Sequence, residues 1–157
     1  MSVKPIPDGY RSITPYLSIK GAAEAIDFYQ RAFGATELFR MPTPSGGIGH
    51  AEIKIGDSTI MLADPCEEAG AFQSPRALGG SPVGLHLYVE DVDKAFAQAI
   101  KAGAKIIQPL EDRFYGDRNG TLEDPFGHLW FLSTHKEDLT PEEIDNRAKA
   151  FFAEHKA

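Results

Sequence analysis

The chain has 157 residues, 42% of them hydrophobic and 25% charged, which suits one domain or one tightly paired duplicate with an ordinary core. Its net charge of −7 argues against a nucleic-acid partner, which needs clustered Lys and Arg, and no apolar run is long enough for a membrane span. Cys66 is the single cysteine, so neither an intrachain disulfide nor a cysteine zinc site can form, and a soluble cytoplasmic protein is expected.

Residues 1–11 are rich in Pro and polar groups, lack the apolar stretch of a signal peptide, and read as an extended arm. A first module spans residues 12–64. In it, Ile13, Pro15, Leu17 and Ile19 alternate with Thr14, Tyr16 and Ser18, the pattern of a half-buried strand. Past Gly21, the spacing of Ala22, Ile26, Tyr29 and Phe33 predicts a helix, and Gly34 stands where a left-handed C-terminal cap would. Strand-like runs follow at 36–41, 48–55 and 58–64. Residues 65–82 carry turn formers without periodicity and read as a linker.

A second module then runs through residues 83–136. Val83, Leu85, Leu87 and Val89 alternate with Gly84, His86 and Tyr88. Asp91 is placed to cap a helix striped by Val92, Ala95, Phe96, Ala99 and Ile100 and closed by Gly103. Strands are predicted at 105–110, 115–122 and 128–134. The halves correspond at an offset of about 70 residues, pairing Ile19 with Val89, Ala25 with Ala95, Gly34 with Gly103 and Gly56 with Gly127. Two strand–helix–three-strand units make an α+β fold. In the remaining segment, 137–157, Thr140, Pro141 and Glu143 form a capping box ahead of a helix whose apolar side is Ile144, Ala148, Phe151 and Phe152. Lys149 and Lys156 favour its far end, and the helix is expected to dock on the domain or on a partner subunit.

The segments IDFYQRAFGA, LHLYVEDVDKAF and DPFGHLW resemble the vicinal oxygen chelate superfamily of glyoxalases, bleomycin-resistance proteins and extradiol dioxygenases, over roughly residues 10–136. FYGDRNG and THKED resemble its PhnB-like branch. The resemblance implies two βαβββ modules forming a curled mixed sheet, or half-barrel, around a cleft, and a homodimer. In the metalloenzyme branches it also implies a divalent metal held from the first and last strands of each module. Carried onto this sequence, those ligand positions fall at Thr14, Gly84, Phe131 and, near enough, Met61, none of which offers carboxylate or imidazole. No cofactor is therefore expected, and glyoxalase I and extradiol dioxygenase activities are not. The alternative is a lyase, isomerase or dioxygenase using zinc, manganese, nickel or iron through an off-register set, His50, Glu52 and His86.

Alternation assigns to the concave face Thr14, Tyr16, Ser18, His50, Glu52, His86, Tyr88, Leu129, Phe131 and Ser133, with Arg118 at the mouth and Phe114 and Tyr115 at the rim. Aromatic and polar groups in a cleft suit a small organic ligand, and His86 with Tyr88 could move a proton. Trp130 is expected in the core, His128 in solvent, and Asp117 beside Arg118. Cys66 has no neighbouring His to activate it.

Overall fold

In the computed structural model the duplicated pattern becomes two four-stranded mixed sheets, each with its own helix. The described residues are 3–66, 70 and 72–155; positions 1–2 of the arm, 67–69 and 71 of the linker, and 156–157, including Lys156, lie outside them. The first module comprises β1 (Tyr16–Ser18), α1 (Ala22–Phe33), β2 (Thr36–Pro42), β3 (Ile48–Ile55) and β4 (Ser58–Ala63), ordered β1-β4-β3-β2 in the sheet. A single-turn helix, α2 (Pro75–Leu78), interrupts the predicted linker, capped by the Ser74 side chain on the Ala77 amide. The second module comprises β5 (Gly84–Tyr88), α3 (Val92–Ala102), β6 (Lys105–Asp112), β7 (Asp117–Glu123) and β8 (Leu129–His135), ordered β5-β8-β7-β6. In both modules the first strand runs parallel to the last, and the other pairings are antiparallel.

The duplication extends to how each helix is started. The Asp64 carboxylate, just past β4, accepts from the Gly21 and Ala22 amides at 2.8 and 3.2 Å. Seventy positions on, the Thr134 hydroxyl of β8 accepts from the Val92 amide at 2.9 Å. Each module thus satisfies the free amides of its helix with a side chain from the end of its last strand.

α1 and α3 pack on one another, and one core runs through both modules. Ile26, Phe28 and Tyr29 of α1, Ile53 of β3 and Leu62 of β4 meet Phe96 of α3, Leu122 of β7 and Trp130 of β8 in it. Each large side chain so buried contributes about 1.5–3 kcal/mol. Ile13 departs from its predicted face: it is 86% exposed, because Pro15 has no amide for the ladder and β1 begins only at Tyr16. Ile100 also leaves the expected stripe, at 37% exposed.

The C-terminal helix, α4 (Pro141–Glu154), starts with the predicted capping box, the Thr140 hydroxyl accepting from the Glu143 amide and the Glu143 carboxylate accepting from the Thr140 amide. None of its residues is buried, and it touches its own domain through Arg147 and Phe151. No helix among the described residues is long and apolar enough to cross a membrane.

Candidate functional site

The sheet face of the second module carries the more open set of side chains. His86 of β5 and Phe131 of β8 are register partners, and their rings stand 6.2 Å apart with planes 13° from parallel. Tyr88 continues the row, 4.7 Å from His86. Under this row, Ser133 is fully buried and its hydroxyl lies 2.8 Å from His86 Nε2. Beside it, Arg113 donates from Nε to Asn119 Oδ1 at 2.8 Å and from Nη1 to Glu111 at 2.9 Å. Asn119 donates in turn to the Tyr115 hydroxyl at 2.6 Å. The far wall comes from beyond the sheet: Arg147 of α4 donates to Glu137 at 2.7 Å, and Phe151 lies 5.1 Å from Phe114. His86, Phe131, Arg113, Asn119, Arg147 and Phe151, with Gln108, frame a cavity of about 710 Å³. Both guanidiniums already have carboxylate partners, so the walls carry no unpaired arginine charge for an anion.

The first-module face is drawn together by its own hydrogen bonds. Tyr10 donates to Glu52, whose other oxygen lies 3.1 Å from His50 Nε2, while the Tyr16 hydroxyl lies 3.0 Å from His50 Nδ1. An ionised carboxylate only accepts, so Nε2 carries the hydrogen and Nδ1 accepts from Tyr16. The Tyr10 phenol above all, and His50 after it, hold the Glu52 carboxyl below its ordinary range. Phe72 of the linker lies 4.8 Å from the Tyr16 ring, and Ser18, itself buried, donates to the Phe72 carbonyl at 3.2 Å. The stretch that leads into α2 therefore covers the start of this face. Thr14 lies ahead of β1, at the seam where Leu85, Leu87 and Trp130 of the other module meet it.

Three expectations fail on register and burial. Arg118 does not reach the concave face. It alternates with Asp117 and Asn119, and its guanidinium is held by Asp93 of α3 at 2.8 and 3.0 Å and by Asp112 at 3.4 Å. His128 is buried, not solvated: a ring nitrogen lies 3.3 Å from the Ser18 carbonyl, and burial pulls its pKa down. Asp117 is not the partner of Arg118 but accepts from Tyr88 and lies 2.8 Å from His135. Trp130 is in the core as read, and its indole donates to the buried Asp124 carboxylate at 2.9 Å. Asn119, Arg113 and Gln108 were missed. Alternation through Asp117, Asn119 and Thr121 could have found Asn119, whereas Arg113 and Gln108 depend on a bulged pairing of β6 with β7 that no pattern announces.

The donor positions of the metalloenzyme branches do not fit a metal here. A Cβ at Gly84 would run into the Phe131 ring, so two of those positions are a glycine and the phenyl ring packed on it. The off-register residues also have other partners, His50 with Glu52 and Tyr16, and His86 with Ser133. Among the described residues, no group of three or more His, Cys, Asp or Glu is arranged to hold a metal ion.

Two βαβββ modules sharing one core, with a side-chain-lined face on each sheet, define a duplicated α+β fold. Known proteins agree. The family model described as Glyoxalase/Bleomycin resistance protein/Dioxygenase superfamily matches residues 13–132, and the chain belongs to that superfamily. It is 44% identical over 135 residues to an uncharacterized protein of Mycobacterium tuberculosis, covering 85% of this chain and 79% of that one. Among solved structures, TioX from Micromonospora sp. ML1 is 27% identical and superposes with a TM-score of 0.62, covering 83% of this chain and 100% of the other. A PhnB protein from Bacillus cereus shares the fold at 21% identity and a TM-score of 0.62, over 79% and 99% of the two chains.

Proposed function

We propose that the protein binds a small, planar organic molecule on the second-module face and does so without a metal. The observation that carries this reading is the cavity of about 710 Å³ faced by the near-parallel rings of His86 and Phe131. A flat ring system would stack there, and such contacts contribute beyond the area they bury. His86 and Asn119, both on the cavity wall, would orient the ligand by hydrogen bonding. Sequestration needs no more than this. A reducing cytoplasmic setting suits the single, exposed Cys66, and a homodimer would cover apolar side chains left bare on β2 and β6.

A thermal-shift screen of aromatic compounds, run with and without EDTA, tests the reading. Binders should raise the melting temperature of the wild type, and Phe131→Ala should abolish the shift. A drop of several degrees on EDTA alone would overturn the metal-free part, because a bound ion stabilises the folded state by mass action.

A further inference from the structure

We propose that a proton on His135 fastens the C-terminal wall of the second-module cavity, so that losing it loosens the site. The proposal rests on the binding reading for its consequence, and on geometry for the clasp itself. His135 Nδ1 lies 2.8 Å from Asp117 Oδ1, and Nε2 lies 2.8 Å from Asp138 Oδ1. Ionised carboxylates only accept, so both contacts are hydrogen bonds only when both ring nitrogens carry hydrogen. Asp117 of β7 and Asp138 of the connector after β8 are the charged groups facing the ring, with Tyr88 of β5 donating to the second oxygen of Asp117. A neutral ring has one N–H. It would stay with buried Asp117 and turn a lone pair on Asp138, which is fully exposed and free to leave.

What Asp138 holds is the wall. The connector runs from His135 through Glu137 to α4, and Glu137, Arg147 and Phe151 line the cavity. The Lys136 and Glu137 amides donate to the Gly116 carbonyl, and a Cβ at Gly116 would lie 2.7 Å from the Glu137 carbonyl, so the connector sits hard against the turn before β7. The Asp117 and Asp138 carboxylates raise the His135 pKa. The clasp is therefore fully present below the ordinary histidine range and is lost as pH rises through the raised value.

Hydrogen exchange read by mass spectrometry on peptides from 136–155 of the full chain tests this at pH 6 and pH 9, after correction for intrinsic rates. In the wild type, amides of α4 should exchange about three- to five-fold faster at pH 9, the scale of one exposed charged contact. Asp138→Asn should remove the pH dependence, because an amide can accept from the charged ring or donate to the neutral one. His135→Gln should remove it too. Equal corrected exchange at both pH values in the wild type, or an unchanged dependence in both variants, would overturn the clasp. Exchange reads the wall with no compound present, so a failed ligand screen bears on the binding reading and not on this one.

Discussion

Asp124 accepts four hydrogen bonds while only 2% exposed: from the Tyr29 hydroxyl at 2.6 Å, the Trp130 indole at 2.9 Å, and the Phe126 and His128 amides. Removing an acceptor so placed leaves buried donors unsatisfied. Asp124→Ala should lower stability by about 3 kcal/mol or more, seen as a reduced urea midpoint with an unchanged slope. His128 beside it gives a pH signature. Burial holds its pKa below the unfolded value near 6.5, so the unfolded chain binds the extra proton more readily. Stability is then fully present above about pH 6.5 and falls as pH drops toward the depressed folded value. Urea titrations at pH 7.5 and pH 5.5 should show that loss in the wild type and a smaller one in His128→Gln. Neither role was legible in the sequence. DPFGHLW marks a turn, but nothing local says that its aspartate reaches a tyrosine 95 positions earlier, or that its histidine is covered by the first strand.

At the scale of elements, local chemistry was a good guide wherever one segment decides its own structure. The stripe of α1, its Gly34 cap, the extent of β3 and the capping box of α4 all stand where spacing and cap residues put them. Failures came where a neighbouring strand decides. Arg118 belongs to the helix side because β7 pairs with β8 in a register that sets Arg118 opposite Thr134, and Ile13 is bare because Pro15 delays pairing. On the sheet faces, His86 and Phe131 are register partners, whereas Ser18 is closed off by a linker residue that alternation does not see. α4 tests the local half of this rule, since none of its residues is buried and its helix leans heavily on its caps. Thr140→Ala should cost α4 about 1 kcal/mol. Its amides should lose protection in hydrogen exchange while the urea midpoint of the whole chain stays put.

The whole molecule raises the question of whether two modules mean two domains. The core answers that they do not: α1 packs on α3, and Tyr29 of the first module donates to Asp124 of the second. The 70-residue repeat was the plainest signal in the sequence, yet a repeat says nothing about how its copies meet. That depends on which faces the helices turn to one another. What one chain leaves uncovered bears on the next level of assembly. Leu38, Phe39 and Met41 on β2 and Ile106 and Ile107 on β6 are each 43–50% exposed, an apolar load that monomers seldom present on edge strands. If a second copy covers them, light scattering should return twice the chain mass. Replacing Phe39 and Ile107 together by Lys should return the single mass, with far-UV circular dichroism unchanged. A wild type that runs as one chain at micromolar concentration would sink the dimer, and would leave those strands to be protected by their bulges and by charged residues such as Arg40 and Lys105.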